Sequence, residues 1–245
     1  MIVALGRMKS SVIMKCMLSN RKCSGFSLTG LSLVAIIFLL PSPGYSEKIA
    51  PTMGQKYFFG KVKPISREFR DRMVGVSWRE GCPIGLDMLR QIELNHWTPS
   101  GRIETGSLIV HKDVADELLE IFEYLFNQRF PLHSVKPIFW FGGDDSRSMQ
   151  ANNTSAFNCR PITGRSKGYS VHSYGKAIDI NPLWNPYVRR KQVLPHNGRE
   201  FVKRSPCLVG MICPRSDVLA LFISRGWTWG GAWKSLKDYQ HFQKR

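Results

Sequence analysis

The sequence predicts an α+β domain with a small antiparallel sheet and flanking helices. Residues 91–97 and 102–110 alternate apolar and polar side chains, and the Pro-Ser-Gly sequence at 99–101 favours a turn, so these segments predict an antiparallel hairpin. Residues 113–126 carry apolar side chains at helical spacing, and Pro131 closes this predicted helix. Shorter apolar segments later in the chain predict further strands.

Two more elements follow the helix. Residues 135–141 predict an apolar strand, and the adjacent Asp144 and Asp145 either cap the loop after it or bind Ca²⁺ or Mg²⁺, with capping favoured. Ser216 is expected to cap a short helix over residues 217–224.

The first 46 residues have the layout of a secretory signal peptide. A basic segment ends near Lys22, an apolar run covers residues 26–40, and Gly44 and Ser46 place small residues at −3 and −1 of a cleavage site. The alternative is an uncleaved N-terminal anchor, although the run is shorter than the ~20 residues that span a bilayer. Both alternatives predict an exported protein, in the periplasm, in the cell wall or secreted.

The chain is strongly basic, with 35 Lys and Arg against 18 Asp and Glu and a net charge of +17 over 245 residues. Such a surface favours polyanions: nucleic acid, anionic lipid or an anionic cell-wall polymer. Because no nucleic-acid recognition motif is present, nucleic acid is the least favoured of these partners. Residues 47–81 predict a basic extension over the surface of a domain that spans 82–245.

Removing the leader reduces six cysteines to four, an even number that suggests disulfides in an oxidising compartment. Three pairings exist. We favour Cys82 with Cys159, which would tie the N-terminal segment to the later half of the domain, and Cys207 with Cys213, which closes a short loop. A cysteine zinc site is the competing interpretation, disfavoured because no C-x-x-C occurs.

A decapeptide at residues 170–179 places an imidazole and a carboxylate seven residues apart. Side chains seven apart on an uninterrupted strand point to opposite faces, so the chain must turn near Tyr174 and Gly175 for His172 and Asp179 to converge.

A second imidazole, His241, follows Asp238 by three residues. With His172 and Asp179 it makes a set of two His and one Asp, which suits Zn²⁺ and leaves the fourth position open for water, as in catalytic zinc sites. Asp238 is left over as a candidate base. A lone His beside an apolar strand is more often a hydrogen-bonded core or surface residue, but the combined pattern outweighs that interpretation.

The pattern S-x-H-x-x-G-x-A-x-D at residues 170–179, followed by D-x-x-H, resembles the zinc D-alanyl-D-alanine carboxypeptidase family. Its relatives include the vancomycin-resistance D,D-dipeptidases and phage L-alanyl-D-glutamate endolysins. The resemblance implies a hedgehog/D,D-peptidase-like zinc peptidase fold. It also implies that zinc is held by His172, Asp179 and His241, and that Asp238 is the general base.

In the family, an Arg upstream of the His motif stabilises negative charge on the carbonyl oxygen. Arg160 is the best-placed match, with Arg165 and Lys167 as alternatives. Many relatives carry Asp where this chain has Ala232, so the zinc set is complete while the substrate preference stays open.

Three more residues are candidates for the substrate groove: Ser170, Tyr174 and Trp229. Ser170 and Tyr174 are expected to shape the site, whereas Trp229 belongs either to the groove or to the core.

The resemblance implies a Zn²⁺ peptidase acting on peptidoglycan stem peptides. The leader predicts its export, the positive charge favours an anionic wall polymer or envelope surface as a partner, and we expect a monomer. A D-alanyl-D-alanine carboxypeptidase is favoured, and an L-Ala-D-Glu type endopeptidase is the close alternative. A non-catalytic zinc module of the hedgehog type is also open, although the retained Asp238 argues for catalysis. Ser173 and Lys176 spell the S-x-x-K of serine D,D-peptidases, but neither S-D-N nor K-T-G occurs elsewhere in the chain.

Overall fold

The computed structural model describes residues 57–162 and 167–244. The chain divides into two units, Met1–Lys48 and Ile49–Arg245, and every described residue belongs to the second. The predicted signal segment and Arg165 therefore lie outside the described residues. Within the described ranges, no helix combines the length and the apolar character needed to cross a membrane.

The first sheet has three antiparallel strands in the order β1-β2-β3: β1 (Gly60–Pro64), β2 (Leu89–Trp97) and β3 (Ile103–His111). Strands β2 and β3 pair along their whole length, from Leu89 opposite His111 to Trp97 opposite Ile103. The predicted hairpin is confirmed. Strand β2 begins two residues before its predicted segment, and β3 begins and ends one residue later than predicted.

Strand β1 belongs to a segment that the sequence predicts as an extension over the surface. In the structure Val62 lies opposite Ile92, and Lys63 Nζ forms a 2.5 Å ion pair with Glu93. The helix α1 (Arg67–Met73) follows and buries Met73 completely. The segment differs from the prediction because an edge strand needs only one apolar face, which its many basic residues obscure in the sequence.

The long helix α2 (Lys112–Asn127) confirms the predicted helix within one residue at each end. Its buried face, which includes Leu118, Phe122 and Leu125, joins one apolar cluster with residues of β2 and β3. His111 caps the helix, since its ring nitrogen accepts a hydrogen bond from Asp113 N. The hairpin and this helix are the scaffold behind the later strands.

The predicted strand over residues 135–141 is mostly wrong. Only β4 (Ser134–Val135) is extended, pairing in parallel with β5 (Asn153–Thr154), and Ile138–Phe141 forms a 3₁₀ turn. Pro137 lacks the N–H that a central strand needs, and a short apolar run does not by itself distinguish a strand from a buried helical turn.

Helix α3 (Asp145–Gln150) begins in the acidic loop. Asp144 caps it, because its Oδ1 accepts hydrogen bonds from Ser146 N at 2.8 Å and from Arg147 N at 3.2 Å. Loop capping is therefore the use that the structure gives to Asp144.

The last third of the chain forms two small antiparallel sheets. One has the order β6-β11-β9 and the other β10-β7-β8. The strands are β6 (Ala177–Asp179), β7 (Tyr187–Arg189), β8 (Gln192–Leu194), β9 (Thr228–Trp229), β10 (Lys237–Asp238) and β11 (His241–Gln243). Helix α4 (Asp217–Ser224) has the predicted bounds and the predicted cap, Ser216. Further 3₁₀ turns cover Leu86–Met88, Val171–Tyr174, His196–Phe201 and Gly230–Ala232.

Two disulfides join the pairs that the sequence analysis favours. Cys82 bonds to Cys159 across 77 residues, and Cys207 bonds to Cys213 across six. The first links the segment after α1 to the chain that leads into the His172 turn. Altogether, mixed helices and small antiparallel sheets confirm the predicted α+β class.

Candidate metal centre and active-site cleft

His172 is positioned by a short turn rather than by a strand. It lies in the 3₁₀ turn Val171–Tyr174, which Ser170 caps by accepting a hydrogen bond from His172 N. Gly175 then adopts a left-handed conformation with φ +65°, and a Cβ there would lie 2.6 Å from His111 N. This glycine allows the chain to reverse against the end of β3, so that His172 and β6 approach the same point.

Asp179 and His241 are brought together by strand pairing. In the antiparallel ladder of β6 and β11 the two residues lie directly opposite each other. Directly opposed residues project to the same face of a sheet, so the register itself sets the carboxylate beside the imidazole. Asp179 and Ser155 exchange two backbone hydrogen bonds, which fix the other edge of β6.

The three predicted metal ligands converge. His172 Nε2 lies 3.2 Å from His241 Nδ1 and 3.3 Å from Asp179 Oδ2, and His241 Nδ1 lies 3.0 Å from Asp179 Oδ1. Ligands ~2.0–2.1 Å from a tetrahedral zinc ion lie about 3.3 Å from one another. The spacing therefore suits one small divalent ion held by all three groups.

The outer nitrogen of each imidazole has its own acceptor. His172 Nδ1 faces Ala156 O at 2.5 Å, and His241 Nε2 faces Gln243 Oε1 at 3.0 Å. Each acceptor favours a proton on the outer nitrogen, which leaves the lone pair of the inner nitrogen directed at the shared point. Two lone pairs and a carboxylate that meet in this way fit a cation.

The ionisation of these groups agrees with a cationic centre. Burial would raise the pKa of the Asp179 carboxyl, but the charge of His172 and hydrogen bonds from both imidazoles hold it below its usual range. Burial would lower the pKa of His241, but its hydrogen bond to Asp179 and the charge of that carboxylate raise it to about 9. A divalent ion would replace the proton that this field otherwise favours.

Asp238 lies on β10, beside the three ligands but not among them. Its Oδ1 is buried and has no hydrogen-bond partner within the described ranges. Burial raises the pKa of this carboxyl to about 6. The charge of His241 lowers this pKa, and the negative charge of Asp179 raises it. Gly230 permits the position, since a Cβ there would lie 2.6 Å from Asp238 O. A half-buried carboxyl with a pKa of about 6 and an Oδ1 that is not engaged by a described residue suits a general base.

A cleft of about 540 Å³ opens over these groups. Walls from α3, the 155–162 segment, β7 and the turn before β10 surround it, and the described residues lining it include Met149, Arg160, Ser170, Trp233, Asp238 and Gln240. The three ligands also line it, so a peptide in the cleft would reach the metal position.

Arg160 lies in the wall of this cleft and is tied to the His172 turn. Its backbone N–H donates to Ser173 Oγ at 2.9 Å, and its guanidinium forms an ion pair with Asp145. The alternative Lys167 is exposed and does not line the cleft. Of the two predicted cations that the structure describes, Arg160 is therefore the one that lines the cleft.

The predicted groove residues divide. Ser170 lines the cleft, whereas Tyr174 lines a separate, smaller pocket with His111 and Lys176. Trp229 is buried, its indole N–H donates to Tyr239 O at 2.9 Å, and it belongs to the core. The structure thus does not bring Tyr174 or Trp229 to the cleft.

Ser173 is not available as a nucleophile. It is fully buried, and its hydroxyl exchanges hydrogen bonds with the backbone of Asn158 and Arg160. Lys176 pairs with Asp113 instead of approaching the serine. The S-x-x-K match is therefore structural.

Sequence reasoning missed four residues of the site: Asp145, Trp233, Gln240 and Gln243. Asp145 pairs with Arg160, and Gln243 accepts from His241. Gln240 and Gln243 lie within two residues of His241 in the sequence, and this proximity to a predicted ligand could have identified them. No sequence feature places Trp233 or Asp145 in the site, because only the folded chain brings them there.

Two imidazoles and a carboxylate at the floor of an open cleft are a donor set used by metal-dependent hydrolases. Residues 163–244 match the model of a family described as D-alanyl-D-alanine carboxypeptidase. The last third of the chain is thus similar to this peptidase family, which supports the resemblance seen in the sequence. No solved structure matches the chain significantly.

Proposed function

We propose that the protein is an exported zinc metallopeptidase that hydrolyses peptidoglycan stem peptides, most directly as a D-alanyl-D-alanine carboxypeptidase. One observation carries the proposal: three converging ligands share a single cleft with a separate carboxylate, Asp238, whose Oδ1 has no hydrogen-bond partner among the described residues. A structural metal site closes its coordination with protein ligands, whereas three ligands beside an open cleft leave room for substrate and water. The family match supports the same conclusion.

The residues divide the chemistry between them. Zinc on His172, Asp179 and His241 would acidify a water molecule and polarise the scissile carbonyl. Asp238 accepts the proton of the attacking water and delivers it to the leaving amine. Arg160 faces the developing negative charge on the carbonyl oxygen from the cleft wall.

The choice of peptide bond is part of the proposal. A carboxypeptidase that removes terminal D-Ala is favoured by the family description, and an L-Ala-D-Glu endopeptidase would use the same ligands and base. Ala232, where many relatives carry Asp, is exposed at the end of the turn Gly230–Ala232. An apolar residue there removes a charge that could otherwise select the substrate.

Export and fold complete the proposal. Two disulfides are typical of an oxidising compartment, and the net charge of the full chain, +17, suits an anionic wall or envelope surface. We propose that the α+β arrangement is of the hedgehog/D,D-peptidase type. A non-catalytic zinc module of that type would have no use for a half-buried carboxyl with a raised pKa such as Asp238.

Digestion of purified muropeptides with product masses read by mass spectrometry tests the function. Loss of the terminal alanine from pentapeptide stems is expected, and cleavage after L-Ala would instead identify the endopeptidase. A chelator should abolish either activity, and a β-lactam should not. Asp238→Ala should keep zinc and lose turnover. Intact muropeptides after incubation with zinc-loaded protein would overturn the proposal.

A further inference from the structure

Gln240 lies between the proposed base and the last metal ligand and is 3% exposed. Its backbone carbonyl accepts a hydrogen bond from Ile180 N at 3.0 Å, which fixes the residue beside the end of β6. Its side chain lines the active-site cleft. The amide is thus held at the cleft floor by main-chain pairing and has little freedom to move.

The two ends of this amide differ in their partners. Gln240 Nε2 donates to Met149 Sδ at 3.6 Å. Hydrogen bonding by the same side chain lowers the pKa of the Asp238 carboxyl, against the larger effect of burial. Gln240 Oε1 is buried and has no partner among the described residues. Leaving a buried acceptor unsatisfied costs about 1–3 kcal/mol, so an unsatisfied oxygen in a residue that lines the cleft calls for an explanation.

The partners of Nε2 set the orientation of the amide. Since a carboxylate and a thioether can only accept, the nitrogen must be the end that faces them. The carbonyl oxygen is then the group that remains for a ligand. It can accept a hydrogen bond but cannot donate one.

We propose that Gln240 is a substrate-binding residue whose Oε1 accepts a hydrogen bond from a backbone N–H of the bound peptide. This inference rests on the proposed peptidase function and names the group that holds the peptide next to the base. Peptides carry an N–H at every residue, and Met149 opposite offers an adaptable apolar contact to the same chain. One amide thereby couples the bound peptide to the position of Asp238.

The variant Gln240→Met tests this proposal because methionine has a similar length and no acceptor oxygen. The chain offers a matched control in Gln91, which is also 3% exposed and also has an unpartnered Oε1, but which lies on β2 and does not line the cleft. Gln91→Met removes a buried amide at the same burial. Zinc content and thermal melting of both variants report whether the site and the fold remain intact.

The ligands are a stem pentapeptide and a series of depsipeptide analogues, each with one N–H replaced by an ester oxygen. Dissociation constants are measured by calorimetry in a zinc-loaded Asp238→Asn background, so that nothing is cleaved. We expect Gln240→Met to weaken pentapeptide binding about three- to tenfold and Gln91→Met to leave it unchanged. One depsipeptide should bind the Asp238→Asn protein as weakly as the pentapeptide binds the protein that also carries Gln240→Met. Adding Gln240→Met should not weaken the binding of that depsipeptide further.

The outcomes separate the two proposals. Equal pentapeptide affinity with and without Gln240→Met overturns the role of Gln240, and so does a depsipeptide penalty that persists in Gln240→Met. Turnover by the wild-type protein in the muropeptide assay is scored independently, so the peptidase function stands or fails on its own. Failure of every peptide to bind the Asp238→Asn background overturns the role of Gln240, and the turnover assay alone then decides the peptidase function.

Discussion

The guanidinium of Arg160 forms an ion pair with the carboxylate of Asp145 in the wall of the cleft. The same carboxylate accepts a 2.8 Å hydrogen bond from Asn158 Nδ2, so it is held from a second side. Asn158 is itself buried and also donates to Gly143 O. Asp145 therefore fixes the direction in which Arg160 presents its charge.

Asp145→Asn should release Arg160 without removing it. We expect kcat to fall about ten- to hundredfold, less than for Arg160→Ala, because an oxyanion donor contributes about 10²–10³ only when it is well placed. KM and zinc content should change little. Asp71→Asn, which alters an exposed ion pair with Arg67, is the control. Unchanged kcat in Asp145→Asn would show that the ion pair does not orient the arginine.

Gly175→Ala should destabilise the protein and weaken metal binding together. Gly175 has a left-handed backbone with φ +65°, which is strained for a residue with a Cβ. The added Cβ would also lie 2.6 Å from His111 N. We expect a loss of about 2 kcal/mol or more in the free energy of unfolding, measured with urea. Gly101→Ala is the matched control, because Gly101 has φ +73° and nothing within 4 Å of the new Cβ. Equal losses at both positions would exclude any role for the close approach.

The raised pKa of Asp238 predicts a pH-dependent stability. Its folded pKa of about 6 lies above the ordinary value of 3.8, so the folded state binds the proton more tightly. The stability that this proton supplies is present below pH 4 and is lost as the pH rises to about 6. Metal-free Asp238→Asn should therefore gain stability over metal-free wild type at pH 7 and gain less at pH 4. Urea unfolding at both pH values measures the difference in the free energy of unfolding between Asp238→Asn and wild type. A difference that does not change with pH would contradict the prediction.

The two disulfides should differ in their contribution to stability. Cys82 and Cys159 close a loop of 77 residues, whereas Cys207 and Cys213 are six apart. Loop-closure entropy predicts a cost of about 4 kcal/mol for removing the first and about 2 kcal/mol for the second. Paired Cys→Ser variants compared by thermal unfolding test the order. A larger loss of stability on removing the Cys207–Cys213 disulfide would contradict the predicted order.

The ligand set could be predicted from sequence because its residue types and spacing are unusual together. The hairpin and α2 could be predicted because their apolar periodicity extends over many residues. Strand β1 and the 3₁₀ turn at residues 138–141 could not, since short apolar segments take their conformation from the tertiary contacts they meet. Asp145 and Trp233 escaped prediction for a related reason, because their proximity to the site is a property of the folded chain alone.

Metal analysis of the purified protein tests the central claim most directly. Equilibrium dialysis against zinc should give one tightly bound ion per chain in the wild type and in Asp238→Asn, and none in His172→Ala or His241→Ala at the same free zinc concentration. Zinc bound undiminished in both His variants, or no zinc in the folded wild type, would contradict a metal centre formed by His172, Asp179 and His241.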